Sequence, residues 1–386
     1  MFMPLEGCDK KAYVQRNLCG AEYIALAIQF PQSDLITRSS IRALRVDPEN
    51  RHHHLLEIKQ LNQLFHNRHT YAFKKYTQFM NSPIQLPSGM HFLERGWLSS
   101  NNLVLTTRDE SSMIDSGFWS HSNQTIELLR TVLKGRPLNT LVNTHLHSDH
   151  CGGNAALQVA WPELRIGVGS SQFQSVLSWN TPELSYDVTG QYCPRFTPHF
   201  AYSPSDTLLL CGIPWVVYAG GGHDPHSLLL FQEEHKILIT ADALWQNGFG
   251  VVFPELEGVH AFQDVLETLD LIESLNPKTC LPGHGPMFND LNSSLQIARS
   301  RCQYFMANPI KHATYAAKVL IKYRLLELQE WRLSEVMSWA SAVPYLKRIK
   351  TDYFSNIDFD TMIQDMIQGL VDSSAARVED QKLYNI

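Results

Sequence analysis

From about residue 90 onward the apolar positions fall into short runs that alternate between strand and helix periodicity. Residues 91–107 and 112–115 read as paired strands closed by Gly117, and residues 124–133 as an amphipathic helix ended by Gly135, Arg136 and Pro137. The run 138–144 predicts a strand. A helix over Asn154–Ala160, a strand over 164–168 and a helix over 171–179 follow it. Residues 207–218, 228–231 and 237–240 predict further strands, the last two joined through a polar hairpin at 232–236. Ala261–Leu275 carries apolar residues at 262, 265, 269 and 272 and predicts a helix stopped by Pro277, with a short strand at 279–281. The result is two strand-rich halves separated by helices, with no repeat at solenoid periods.

The flanks read differently. Residues 23–30 suit a strand or a short helix. Residues 51–80 place Leu55, Ile58, Leu61, Leu64 and Phe65 at helical spacing, predicting one or two helices before Pro83, Pro87 and Gly89 mark a boundary. Beyond residue 288 the pattern is mainly helical: 291–328 with a break at Pro309, then 333–340 and 359–371. A closing stretch, 373–384, has β-like pieces around a polar turn at 379–381. Helices followed by a small hairpin are winged-helix-like. The chain therefore divides into a partly helical N-terminal extension (1–88), a central α/β domain (89–288) and a helical, winged-helix-like C-terminal domain (289–386).

Composition narrows the function. A chain of 386 residues with 44 % hydrophobic content can bury a large core, and its net charge of −6 argues against a strongly basic nucleic-acid binder. No apolar run approaches the roughly 18–20 residues of a membrane span. Glu22 interrupts the apolar stretch 21–28, so no secretory leader is expected. Seven cysteines without a Cys-x-x-Cys pair read as free thiols in a reducing cytoplasm.

The chemistry concentrates in residues 143–153, Asn-Thr-His-Leu-His-Ser-Asp-His-Cys-Gly-Gly, directly after an apolar strand. Imidazole and carboxylate are ligands that a borderline metal such as zinc accepts. On an extended segment alternate side chains share a face, so His145 and His147 point together, while Asp149 and His150 follow where the chain turns toward a helix. The run His52, His53, His54 lacks this logic. Consecutive residues on a helix point in different directions, and a solvated helix start accounts for them.

This His-x-His-x-Asp-His pattern resembles the signature of the metallo-β-lactamase superfamily of hydrolases, and the resemblance extends along the chain. Gly220-Gly-Gly-His223-Asp-Pro-His226-Ser is similar to the family's Gly-His-x-Pro-Gly-Ser loop, with His226 where glycine is usual. Asp242, ending an apolar strand, matches the family's bridging aspartate, and Gly283-His284-Gly285 its last histidine.

The resemblance implies a four-layer αβ/βα sandwich with a helical C-terminal domain. It implies two divalent ions, zinc first and iron or manganese otherwise. His145, His147 and His223 would hold one ion, Asp149, His150 and His284 the other, with Asp242 bridging. A metal-bridged hydroxide would attack the substrate, and Asp149 would orient it or carry a proton; Ser148 is left as a loop residue. Candidate substrate-pocket residues are Trp245, Phe249 and Phe253 in the loop after Asp242, with Arg195 and His226. The expected substrate is a small ester, thioester or lactone. A phosphodiesterase or RNase using the basic C-terminal residues is the alternative. A β-lactamase is disfavoured by the bridging aspartate, and a non-catalytic sensor by the complete ligand set. Expected partners are a small-molecule substrate and a second copy in a homodimer, with nucleic acid not favoured and no membrane.

Overall fold

The computed structural model describes residues 84–386 and, earlier in the chain, two antiparallel strands, β1 (Tyr13–Arg16) and β2 (Glu22–Ala25). The helices expected over 51–80, and His52 to His54 with them, lie outside the described residues. Residues 84–386 form one compact unit.

Two mixed sheets face each other. The first holds β3 (Met90–Leu93), β4 (Asn102–Thr106), β5 (Ser111–Ile114), β6 (Thr140–Val142), β7 (Arg165–Gly169) and β8 (Phe200–Tyr202) in sequential order. It is antiparallel from β3 to β5 and parallel from β5 to β8. The second runs β13-β12-β11-β10-β9, comprising β9 (Thr207–Leu210), β10 (Ile213–Ala219), β11 (Leu228–Gln232), β12 (Ile237–Ala241) and β13 (Thr279–Pro282). Only its β12–β13 pair is parallel.

Side-chain alternation builds the layers. Leu103 and Leu105 of β4 point between the sheets, where Leu228 and Leu230 of β11 and Ile237 and Ile239 of β12 meet them. The intervening residues point outward. Val104 faces helices that include α1 (Ser122–Leu133), with Leu129 and Leu133 against it. The helices α2 (Ser148–Cys151), α3 (Asn154–Ala160), α4 (Phe173–Ser178) and α5 (Tyr186–Thr189) follow in the same half. Leu229, Phe231 and Leu238 face α7 (Ala261–Leu275), which follows the short α6 (Phe253–Leu256). This is the expected αβ/βα sandwich.

Several elements depart from the sequence pattern. The run 91–107 is two strands, because Glu94 to Asn101 leave the sheet to carry Trp97 toward the site. Residues 207–218 are a hairpin, turned at Cys211 and Gly212, both in the left-handed region (φ 52° and 73°).

The C-terminal part consists of α8 (Leu291–Ala307), α9 (Pro309–Leu328), β14 (Glu330–Arg332), α10 (Leu333–Ala342), α11 (Pro344–Tyr353), α12 (Phe359–Asp372), β15 (Ala376–Glu379) and β16 (Lys382–Asn385). Pro309 separates α8 from α9 as its missing N–H requires. The periodicity did not reveal α11, whose charged Lys347, Arg348 and Lys350 dilute a buried face of Tyr345, Leu346 and Ile349. Helix α9 has two apolar faces. Ala313, Ala316, Ala317, Leu320 and Ile321 pack into a core with Met362, Ile363 and Met366 of α12. Tyr315, Val319, Tyr323 and Leu326, spaced three and four apart, form a second stripe over the active cavity. Val251 and Leu256 of the sandwich enter the same helical core, and Arg348 donates to the Glu257 carbonyl at 2.9 Å, so this layer is fastened beside the site.

His312, on α9, is 2 % exposed between Phe262 and Phe305, with ring centroids at 4.9 and 5.2 Å. Burial, with the nearby Arg301 charge, lowers its pKa to about 4. In the unfolded chain its pKa lies near about 6.5. The folded state therefore binds fewer protons between these values, and the stability due to neutral His312 is present above pH 6.5 and lost as pH falls toward 4. The total loss is about 3 kcal/mol. Urea unfolding at about pH 7.5 and 5 should show a steeper acid destabilisation in the wild type than in H312L.

Candidate metal centre and its cavity

The site forms where strands end. His145 and His147 follow β6, His223 follows β10, Asp242 follows β12 and His284 follows β13. Their side chains gather in two groups, His145 with His147 and His223, and Asp149 with His150, Asp242 and His284. Within each group the ligand-capable atoms lie within 4.8 Å of one another. All seven residues singled out from the sequence are thus brought to one place, from segments as far apart as residues 145 and 284.

In the first group His147 Nδ1 lies 3.2 Å from His145 Nε2 and 2.8 Å from His223 Nε2. His223 Nδ1 meets the Val251 carbonyl, which fixes its proton there and leaves Nε2 a lone pair facing the cluster. One proton on His147 cannot serve two facing lone pairs, whereas a cation satisfies all three rings. Burial, followed by repulsion from its histidine neighbours, holds His145 well below its usual range. Burial and His147 lower His223 to about 4. Neutral imidazole is the ligating form.

In the second group burial favours protonated carboxylates, yet the surrounding histidines hold both Asp149 and Asp242 below the ordinary range. His284 Nε2 is 3.0 Å from Asp149 Oδ2, and Asp242 Oδ1 is 3.5 Å from His150 Nε2. Asp242 Oδ2 also lies 3.5 Å from His223 Nε2, so this carboxylate reaches both groups.

His150 donates from Nδ1 to Asp115 Oδ2 at 2.8 Å, which aims Nε2 into the cluster, where it is buried without a hydrogen-bond partner. Burial opposes its charge, but Asp115, Asp242 and Asp149 together hold the imidazole well above its usual range. Three buried carboxylates around an orphaned ring nitrogen call for positive charge, and the mixed imidazole and carboxylate donors suit divalent metals. The residues fit a metal centre.

The backbone is shaped for this approach. Asp115 sits in the left-handed region (φ 56°), and its carboxylate also accepts from Thr144 N and Oγ1 at 2.8 Å. Ala241, just before Asp242, has φ 45°. Non-glycine residues held this way concentrate at functional sites. A Cβ on Gly250 would fall 2.4 Å from His223 Nδ1, so only glycine lets that loop pass.

Above the cluster is a largely apolar cavity of about 520 Å³. His147, Asp149, His223, Asp242 and His284 form its floor, and Tyr315, Val319, Tyr323 and Leu326 of α9 its roof. Of the pocket residues expected from the sequence, Trp245 and Phe253 line it, and Trp245 Nε1 donates to Asp242 Oδ1 at 3.1 Å. Phe249 is instead buried in the core beneath the wall, at 1 % exposure. Arg195 lies outside the lining and donates to the Leu177 carbonyl, and His226 is held in its own loop by Asp224.

Sequence reasoning missed Trp97, whose ring stacks on His284 at 5.5 Å, and Gln191, whose Oε1 accepts a hydrogen bond from the Ser148 hydroxyl at 2.6 Å. It also missed Tyr323, which donates to the Leu98 carbonyl at 3.2 Å. The tryptophan after Gly96, in a predicted strand, was the available signal.

The centre and the sandwich define a metal-binding architecture. Residues 95–284 match the profile of the metallo-β-lactamase superfamily. The chain is 26 % identical over 205 residues to a curated relative named atrochrysone carboxyl ACP thioesterase, from Aspergillus fumigatus. That match covers 53 % of this chain, which spans only 56 % of the relative's length. Among solved structures it is similar to a metallo-β-lactamase family protein of Thermus thermophilus, with 17 % identity and a TM-score of 0.47, covering 78 % of this chain and 100 % of that one. A metallo-β-lactamase from Pontibacter korlensis aligns at 19 % identity and a TM-score of 0.42, over 55 % and 96 % of the two chains. Residues 95–284 thus belong to the metallo-β-lactamase superfamily. Among the described residues no helix is long and apolar enough to cross a membrane.

Proposed function

We propose that this hydrolase cleaves a small acyl substrate, with thioesters first among esters, thioesters and lactones, using two divalent ions, zinc in preference to iron or manganese. The observation that carries the reading is the placement of the His/Asp cluster at the floor of a largely apolar cavity, a shape suited to an acyl chain. The thioesterase name of the curated relative supports the same class.

His145, His147 and His223 would hold one ion, and Asp149, His150 and His284 the other, with Asp242 shared. Such ions, when bound, polarise a carbonyl and bring the pKa of a water down toward neutrality. The chain's own groups do the rest. Asp149, ionised and lining the cavity, would orient the attacking water and take up its proton. Asp115 keeps His150 in one tautomer, and Trp245 holds the Asp242 carboxylate. Val319, Leu320 and Leu326 exclude bulk water from the acyl chain.

Of the basic C-terminal residues that favour the nucleic-acid alternative, Arg324 is paired with Glu327 and Arg348 with Asp352. The test is turnover of the metal-loaded protein on a thioester, a lactone, an aryl ester, a β-lactam, a bis-aryl phosphodiester and short RNA, with D149A as background. Acyl turnover lost in D149A is the expected result. Cleavage confined to phosphodiester or RNA would overturn the reading.

A further inference from the structure

One cation in the cavity wall takes no part in the chemistry above. Arg301, on α8, lines the cavity with its guanidinium centre 5.4 Å from the ring of Phe249, 5.4 Å from Phe305 and 4.7 Å from Tyr315. A Cβ on Gly248 would lie 2.7 Å from its Nη1, so the loop after Asp242 closes directly on the guanidinium. Its Nε is buried with no hydrogen-bond partner, and among the described residues no carboxylate pairs with it. Lys322, the other cation of the lining, is committed to the Ala375 carbonyl and Asn385 Oδ1, both at 2.5 Å.

Aromatic faces stabilise a guanidinium but accept none of its in-plane protons, so they orient the fork without satisfying it. A donor so placed calls for an acceptor. A carboxylate matches the planar fork with two parallel hydrogen bonds. Gln246 and Asn247 also line the cavity and carry amide donors.

We propose that Arg301 is the specificity-determining residue of the cavity, and that the substrate is an acyl compound carrying a second, anionic group, a carboxylate, that docks on it. This rests on the acyl-hydrolase reading of the metal centre. The carboxylate can belong to the acyl part or to the leaving group, and the substrates below separate the two.

The test compares three thioesters of similar size: butyryl-N-acetylcysteamine (neutral), glutaryl-N-acetylcysteamine (acid on the acyl part) and the butyryl thioester of 3-mercaptopropionate (acid on the leaving group). The wild type should favour one acidic substrate over the neutral one by about tenfold or more in kcat/KM, mostly through KM. In R301M that ratio should fall to within about twofold of unity, and R301K should keep part of it. A wild type without preference, or an R301M that retains it, overturns the proposal. Thermal unfolding reports whether the variants fold, and if R301M does not, the wild-type preference and R301K decide. Should no thioester be turned over, the acyl reading fails separately, and calorimetric titration with glutarate then judges Arg301. A Kd weakened about tenfold or more in R301K supports the site, and equal affinities overturn it.

Discussion

Asp242→Ala is expected to lower kcat on the best acyl substrate by about a thousandfold and to drop the bound metal below two ions per chain. Asp242 reaches both groups of the centre, with Oδ2 3.5 Å from His223 Nε2 and Oδ1 3.5 Å from His150 Nε2. In the proposed two-ion centre its loss would remove the shared ligand and leave the buried histidines facing one another. Metal activation contributes several kcal/mol to transition-state stabilisation, and about 4 kcal/mol corresponds to that thousandfold. The check is steady-state kinetics beside metal analysis by mass spectrometry. A variant that retains two ions and loses less than about tenfold in kcat would place the bridging role elsewhere.

Gly283→Ala should cost about a hundredfold in activity through a single added methyl group. Its Cβ would stand 2.2 Å from Asp242 Oδ1 and 2.8 Å from His150 Cε1, inside the second group of ligands. The backbone cannot retreat easily. Gly283 N donates to the Ala241 carbonyl and the Gly283 carbonyl accepts from Asn101 N, both at 2.7 Å. The ligands must move instead, and displaced supporting geometry at metal sites costs about 10–100-fold. Gly285→Ala is the control. That glycine has φ +78° but nothing within 4 Å of an added Cβ, so it should lose stability without a comparable loss of activity. Equal kinetic losses in the two variants would mean that strain, not ligand displacement, sets the effect.

The centre was legible in the sequence because its chemistry is local in type though not in position. His223, Asp242 and His284 sit where an apolar strand gives way to glycine or a polar turn, and His145 with His147 declare a shared face by their spacing. The layers followed from alternation, as in β11, where Leu228 and Leu230 part from Leu229 and Phe231. The cavity was far less legible. Phe249 and Phe253 lie four residues apart in one aromatic loop, yet one is core and the other wall, and only the packing of α8 and α9 decides which. Asp115 read as the end of a strand, because its hydrogen bond to His150 spans 35 positions. Trp97, Arg301 and Tyr323 depend on contacts equally remote in the chain. Nothing in its neighbours' periodicity distinguishes Arg301 from an ordinary helix-face residue.

The most direct test of the account is thioester turnover measured while zinc is added stepwise to metal-free protein. Activity should rise from background and saturate at two equivalents per chain, with D242A staying near background throughout. Full turnover without metal, or none after two equivalents have bound, would contradict a two-metal acyl hydrolase.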